Sequence, residues 1–258
     1  MTTVLITNDD GIDSPGLHAL AAAAFAEGVD VIVAAPASQS SGSSASILGA
    51  EADGRIRMER REIQGLEMPC YAVWAAPALI ALIAEHGAFG PSPDAVLSGV
   101  NRGANIGRAI LHSGTVGAAL TGGANGARGL AVSLDVGMNP VTHEWEAAAR
   151  VSRGVLRSLL TCPDGTVLNL NVPNDAGAGD LTPREATLAP FGIVQTTATE
   201  AGEGEVRLTV ADLEGAQDPR SDAALLEAGH VTLTAITGVG EVPLPDGIAV
   251  ASESSATR

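Results

Sequence analysis

Apolar positions in the first forty residues fall into two short unbroken blocks separated by an alanine-rich stretch, and this spacing predicts strand, helix, strand. Thr3 to Thr7 is β-branched and apolar and stops at two acids and a glycine, as a buried strand does. Ser14 stands as N-cap and Pro15 at the first position of a helix whose body runs from Leu17 to Ala26 and closes at Gly28. Val29 to Ala35 is the second strand, ended by Pro36 and followed by the polar loop Ser38 to Ser46. Residues 50 to 70 are irregular, with an alternation around Arg55 and Arg57 that suits a short surface hairpin.

The alternation then resumes. A helix is expected over Ala76 to His86, a third buried strand over Asp94 to Gly99, and a glycine- and asparagine-rich loop from Asn101 to Gly107. Val116 to Asn125 suits a helix packed through small residues, Leu130 to Asp135 a fourth strand, Glu144 to Leu160 a longer amphipathic helix, and Val167 to Val172 a fifth strand. The pattern predicts an α/β, Rossmann-like, mainly parallel sheet with helices on both faces, occupying residues 1–178. From about residue 178 the character changes, so residues 179–258 form a C-terminal extension. An extended hairpin is expected between roughly residues 187 and 212, attached to the core and suited to oligomer contacts; Ser252 to Arg258 has the composition of a disordered tail.

Composition narrows the function. A formal charge of −16 over 258 residues disfavours a nucleic-acid polymer or an anionic membrane as partner, and 2% aromatic content disfavours base-stacking platforms. A small phosphorylated ligand would need local positive charge from a cation or a helix N-terminus. All fourteen basic residues are Arg, which excludes any mechanism requiring lysine. Cys70 and Cys162 fit neither a disulfide framework nor a metal motif and read as buried structural thiols. The N-terminus lacks a signal-peptide layout and no apolar run is long enough to cross a membrane, which makes the cytoplasm the expected location.

Three strands end in unusual polar sequences: Thr7-Asn8-Asp9-Asp10-Gly11, Ser38-Gln39-Ser40-Ser41-Gly42 and Ser98-Gly99-Val100-Asn101. In an open parallel sheet these ends share one crevice. Two adjacent carboxylates there need a cation or a shared proton, and hard oxygen donors suit Mg²⁺ or Mn²⁺; in isolation, Asp-Asp-Gly reads first as a turn with solvated acids. Ser113-Gly114-Thr115, just before a small-residue helix, offers free N–H groups to an anion, or is simply a well-capped helix start.

These segments, with Ser14-Pro15-Gly16, Ala35-Pro36 before Ser41-Gly42, and Asn101-Arg102-Gly103-Ala104-Asn105-Ile106-Gly107, occur in an order that resembles the SurE (survival protein E) family of 5′/3′-nucleotidases. The likeness extends through Ala131-Val132-Ser133-Leu134-Asp135 and Leu168-Asn169-Leu170-Asn171-Val172-Pro173, and weakly to Ser221-Asp222 and Gly229-His230-Val231. The resemblance implies one divalent cation per subunit, Mg²⁺ or Mn²⁺, on Asp9, Asp10, Ser41 and Asn101. It implies a phosphate site at Asn105, Ser113, Gly114 and Thr115, and a homodimer or homotetramer built through the C-terminal hairpin. Departures from the family pattern fall at Ala75-Ala76-Pro77-Ala78-Leu79, His112, Thr121 and His230.

The expected chemistry is hydrolysis of a nucleoside monophosphate by a metal-activated water, with Asp9 or Asp10 taking its proton. His112 suits either a general acid or a ring filling the place of an aromatic, the latter being the preferred reading. His18, His86 and His143 read as solvated or capping residues, and Trp74 and Trp145 as packing. The alternatives are a non-catalytic metal or nucleotide binder and a phosphatase for another small substrate. An aspartyl-phosphate mechanism fits poorly with adjacent acids and no lysine, and a dinucleotide oxidoreductase lacks G-x-G-x-x-G after the first strand.

Overall fold

A computed structural model describes residues 2–245 apart from residues 41, 50, 53, 138–139, 175–179, 191–194, 203–204 and 212–217; residues 51–52, 195–202 and 205–211 are described by backbone alone. The strands are β1 (Thr3–Thr7), β2 (Asp30–Pro36), β3 (Glu51–Ala52), β4 (Arg55–Ile56), β5 (Met58–Arg61), β6 (Cys70–Val73), β7 (Ala95–Arg102), β8 (Arg128–Asp135), β9 (Val167–Pro173), β10 (Arg184–Glu185), β11 (Gln195–Gly202), β12 (Glu205–Ala211) and β13 (Thr232–Ile236). The α-helices are α1 (Pro15–Phe25), α2 (Pro77–Glu85), α3 (Gly114–Ala124), α4 (Trp145–Leu159) and α5 (Asp222–Glu227), and a 3₁₀ helix spans Gly107–His112.

Nine strands form one sheet in the order β10-β13-β9-β8-β7-β1-β2-β6-β5. The central six, from β9 to β6, are parallel, while β5 at one end and β13 with β10 at the other run against them. The chain leaves β1 toward β2, returns past it to β7 and continues outward the other way, so the order reverses between β1 and β7. Ligands of such sheets bind at this switch point, outside the carboxyl ends.

Helices α1 and α4 pack together on one face, α2 and α3 on the other. Side-chain alternation on the strands separates the cores: Val4 and Ile6 pack with Leu17, Leu20 and Leu156, whereas Leu5 and Val96 pack with Ile80 and Ala84. The connections β1–α1–β2, β6–α2–β7 and β7–α3–β8 share one hand, the right-handed one of almost all such units. The step β8–α4–β9 moves outward like β7–α3–β8 yet places its helix on the opposite face, so it has the other hand. With α2 and α3 on one face, α1 alone would leave β8 and β9 bare on the other. Leu156, Leu159 and Val155 of α4 cover that area, and Glu27 beyond α1 pairs with Arg153 and Arg157 to hold the two helices together.

The sequence-based elements of the core agree with this fold, but β5 falls within the stretch read as irregular, and β6 begins at its last residue and runs through a segment assigned to no element. Met58-Glu59-Arg60-Arg61 is an edge strand facing water, and Cys70-Tyr71-Ala72-Val73 is a short strand whose burial comes from its neighbour β2 rather than from its own pattern. The extension is not confined to an arm. Strands β10 and β13 extend the main sheet, while β11 and β12 form the expected antiparallel hairpin as a separate two-stranded sheet. The C-terminal tail expected to be disordered lies outside the described residues. Cys70 is buried as expected and Cys162 is only half-buried. Among the described residues no helix is long and apolar enough to cross a membrane.

Candidate active site

The turn after β1 is shaped by Asn8, fully buried, whose side chain bonds Gly11 twice: Nδ2 donates to Gly11 O at 3.0 Å and Oδ1 accepts from Gly11 N at 3.1 Å. This clamp sets Asp9 and Asp10 at the strand's carboxyl end. Asp9 is 7% exposed, its Oδ1 accepts the Thr115 hydroxyl at 2.5 Å, and its carbonyl accepts Ser40 N at 2.7 Å. Burial pushes the Asp9 carboxyl above the usual range; the Thr115 hydroxyl and N–H oppose the rise and neighbouring Asp10 adds to it. Burial also raises Asp10, against the pull of the Arg102 N–H and guanidinium.

Asn101 and Arg102 close strand β7, which has an irregular register between Ser98 and Asn101 where it pairs with β8. Irregularities of this kind re-aim side chains beside active sites. Arg102 N donates to Asp10 Oδ2 at 3.2 Å, so Asn101 stands next to Asp10. The Arg102 guanidinium does not neutralise the acids: its Nε donates to His143 Nε2 at 3.2 Å, and His143 stacks on Trp145. No basic side chain lies within 4.0 Å of Asp9 or Asp10 among the described residues.

These residues fit a hard cation. Thr115 takes one oxygen of Asp9, Arg102 N takes one of Asp10, and Gly103 O takes the amide group of Asn101 at 2.7 Å, so each side chain keeps an oxygen for a shared ligand. Gln39 Nε2 reaches the other Asp10 oxygen only at 3.5 Å. Among the described residues no three His, Cys, Asp or Glu side chains gather as a metal cluster; the candidate donors are two carboxylates and an amide, a set that would suit Mg²⁺ or Mn²⁺ over zinc. Ser41, the fourth expected ligand, lies outside the described residues.

The loop after β7 is held by side chains that the sequence reading did not assign. Asn171 clamps the Asn105 backbone, Oδ1 accepting its N–H at 2.8 Å and Nδ2 donating to its carbonyl at 2.9 Å, while Asn169 Nδ2 donates to that same carbonyl at 2.8 Å. The Asn105 amide donates to Ser133 Oγ at 2.9 Å. Asp222, wholly buried, accepts Gly107 N at 2.7 Å and Ala189 N at 2.9 Å. The Leu-Asn-Leu-Asn-Val-Pro and Ser-Asp segments therefore act as supports for the loop. Two asparagines in a buried strand were the available signal for the first, since strands bury amides only when something pairs with them.

Helix α3 begins at the same place. Ser113 Oγ caps it, accepting Val116 N at 3.1 Å, and Thr115 is committed to Asp9, so of the expected phosphate-site residues Gly114 is the one with its N–H free of a partner. Gly114 has no room for a side chain: a Cβ there would stand 2.5 Å from Ser43 Oγ and 2.9 Å from Asp9 Oδ2. Gly16 is constrained likewise, since a Cβ would meet Val100 O at 2.2 Å. His112 ends the 3₁₀ helix and is exposed, so it does not fill an aromatic's buried place. His18 instead donates from Nε2 to Ile12 O at 2.8 Å, and Trp74 packs under the Arg57 guanidinium.

The SurE family model, described as survival protein SurE, matches residues 4–197. The chain belongs to the SurE family. A SurE described as a 5′-nucleotidase from Symbiobacterium thermophilum is 34% identical over 92% of each chain. Another so described, from Xanthomonas campestris pv. campestris, is 40% identical over 68% of this chain and 65% of its own length. The crystal structure of the SurE protein from Aquifex aeolicus superposes with a TM-score of 0.70 at 26% identity, covering 91% of this chain and 93% of that one. Within this SurE fold the departure at Ala75-Ala76 lies on the wall of an open cleft that Ser38, Gln39, Ser43 and Trp74 also line. Thr121 turns its hydroxyl onto Gly117 O at 2.7 Å within α3, and His230 is half-buried beyond α5.

Proposed function

We propose that the protein is a nucleotidase, a phosphomonoesterase that hydrolyses nucleoside monophosphates with a divalent cation held by Asp9, Asp10, Ser41 and Asn101. The observation that carries this is the pair of adjacent carboxylates, both raised by burial, with no basic side chain within 4.0 Å among the described residues and with one oxygen of each already tied to a neutral donor. The 5′-nucleotidase description of the Symbiobacterium and Xanthomonas relatives supports the reaction class.

When bound, the cation supplies Lewis acidity toward the phosphoryl oxygens and lowers the pKa of water. The chain's own residues set the geometry around it. Thr115 fixes one oxygen of Asp9 and leaves Oδ2 facing the space beside Gly114. Asp10, more exposed and with a weakly engaged Oδ1, takes the proton of the attacking water. The Gly114 N–H at the positive end of α3 and the Asn105 amide bind the equatorial phosphoryl oxygens as charge develops; one donor of this type contributes about 2.7–4 kcal/mol. His112, exposed at the end of the 3₁₀ helix one residue before the N-cap of α3, would protonate the leaving oxygen or bind the sugar. The nucleoside lies in the cleft along Trp74 and Ala75.

The hairpin β11–β12, paired only with itself among the described residues, provides the contact for a homodimer or homotetramer. Because Ala75 and Ala76 line the cleft, the protein's preference among phosphomonoesters is its own; a small phosphorylated substrate other than a nucleotide is the second reading. A panel of nucleoside 5′- and 3′-monophosphates and simple sugar phosphates with Mg²⁺ or Mn²⁺ decides between them. Phosphate released from nucleotides first, and abolished in Asp9→Ala, supports the nucleotidase; release from sugar phosphates alone supports the second reading, and binding without release a non-catalytic binder.

A further inference from the structure

One hydroxyl beside the carboxylates has no task in the scheme above. Ser43 Oγ is buried and has no hydrogen-bond partner. Leaving such a group unsatisfied costs roughly 1–3 kcal/mol, so each instance calls for an explanation. The same oxygen and Asp9 Oδ2 lie 2.5 Å and 2.9 Å from the point where a Cβ of Gly114 would stand. The hydroxyl, the unengaged oxygen of Asp9 and the first residue of α3 therefore border one small space, kept open by the glycine.

The segment that carries Ser43 is pinned on both sides. Ser40 N donates to Asp9 O at 2.7 Å, and Ser44 Oγ donates to Leu111 O at 2.6 Å. The hydroxyl is thereby fixed against the start of α3. A hydroxyl donates one hydrogen bond and needs an acceptor for it, yet it makes none with the nearby carboxylate. Helix α3 faces the same space with its positive end and the unpartnered Gly114 N–H, an arrangement that favours an anion rich in acceptor oxygens.

We propose that Ser43 is a substrate-binding residue whose hydroxyl donates to an oxygen of the transferred phosphoryl group, lodged between Asp9 and the first turn of α3. This rests on the phosphomonoesterase reading of the site. The same contact holds the product, so inorganic phosphate is a sufficient probe.

The test is titration calorimetry of inorganic phosphate into the Mg²⁺-loaded parent, Ser43→Ala and Ser44→Ala, with a separate Mn²⁺ titration and a melting curve for each. Ser43→Ala is expected to raise the phosphate Kd about tenfold or more, in line with a charge-assisted hydrogen bond, while Mn²⁺ affinity stays at the parent value and Tm stays level or rises, since an unsatisfied buried hydroxyl is removed. Ser44→Ala, which loosens the same loop, is expected to keep phosphate affinity within about twofold. Parent-like phosphate binding by Ser43→Ala overturns the proposal, as does an equal loss in Ser44→Ala or a parallel loss of Mn²⁺ affinity in Ser43→Ala. A parent that neither binds phosphate nor hydrolyses any phosphomonoester overturns the nucleotidase reading and this proposal together, whereas an active parent matched by Ser43→Ala overturns this one alone.

Discussion

Asp9 is held against burial by a hydroxyl and a backbone N–H, both from Thr115, and it sits beside a second acid. In the metal-free protein this combination favours the protonated form. A carboxyl raised above its unfolded value of 3.8 contributes stability that is present at low pH and is lost as pH rises through the folded value. Asp9→Asn, which keeps an acceptor for Thr115, is therefore expected to raise the Tm of metal-free protein at neutral pH. That gain is expected to shrink as pH falls toward 4, and thermal melts across pH 4–8 would show it. Gly114→Ala makes the opposite kind of change. Alanine is the better helix former by about 1 kcal/mol, yet its methyl would press on Ser43 Oγ and Asp9 Oδ2, so Mn²⁺ affinity and kcat/KM are both expected to fall at least tenfold. Asp9, Asp10, Asn101 and Asn105 were legible in the sequence because each sits in a short motif at a strand end. Asn171 and Asp222 were not, since what each supports lies 66 or 115 positions away along the chain, by contacts that no local pattern encodes.

Among the elements, α2 shows what one departure from the family pattern does. Ala76 occupies its N-cap with extended geometry and no side-chain bond to the first turn. Ala76→Ser is expected to stabilise the protein by about 1 kcal/mol, read as a shift in chemical denaturation midpoint at unchanged slope. Helix boundaries were legible where Pro15 and Ser113 punctuate the chain, and the buried strands β1, β2, β7, β8 and β9 where apolar runs stop at glycine or proline. Strands β5 and β6 were not legible: one is an edge strand rich in arginine, the other four residues long, and they become strands through pairing, β6 with β2 and β5 with β6. The loop expected from Asn101 begins two residues later, at Gly103, because β7 carries Asn101 and Arg102 on past its irregularity to pair with Ser133 and Leu134.

For the molecule as a whole, the extension closes back on the catalytic end of the sheet. Helix α5 places Asp222 under both Gly107 and Ala189, so the C-terminal part of the chain fixes the loop that carries Asn105. Asp222→Ala leaves three backbone N–H groups, those of Gly107, Ala189 and Ala223, without their acceptor and is expected to cost about 3 kcal/mol in denaturant unfolding. Asp222→Asn, which keeps an acceptor oxygen, is expected to cost less. At this scale the proposed reading brings an anionic substrate to a chain of charge −16, so that it requires local positive charge from a bound cation and the start of α3. The most direct test of that claim is phosphate release from a nucleoside monophosphate panel by the purified protein, before and after chelation and after restoring Mg²⁺ or Mn²⁺. Hydrolysis is expected to vanish on chelation, to return with the metal and to be absent in Asp9→Ala; hydrolysis that persists in the chelated protein or in Asp9→Ala would rule out a cation-dependent site at these carboxylates.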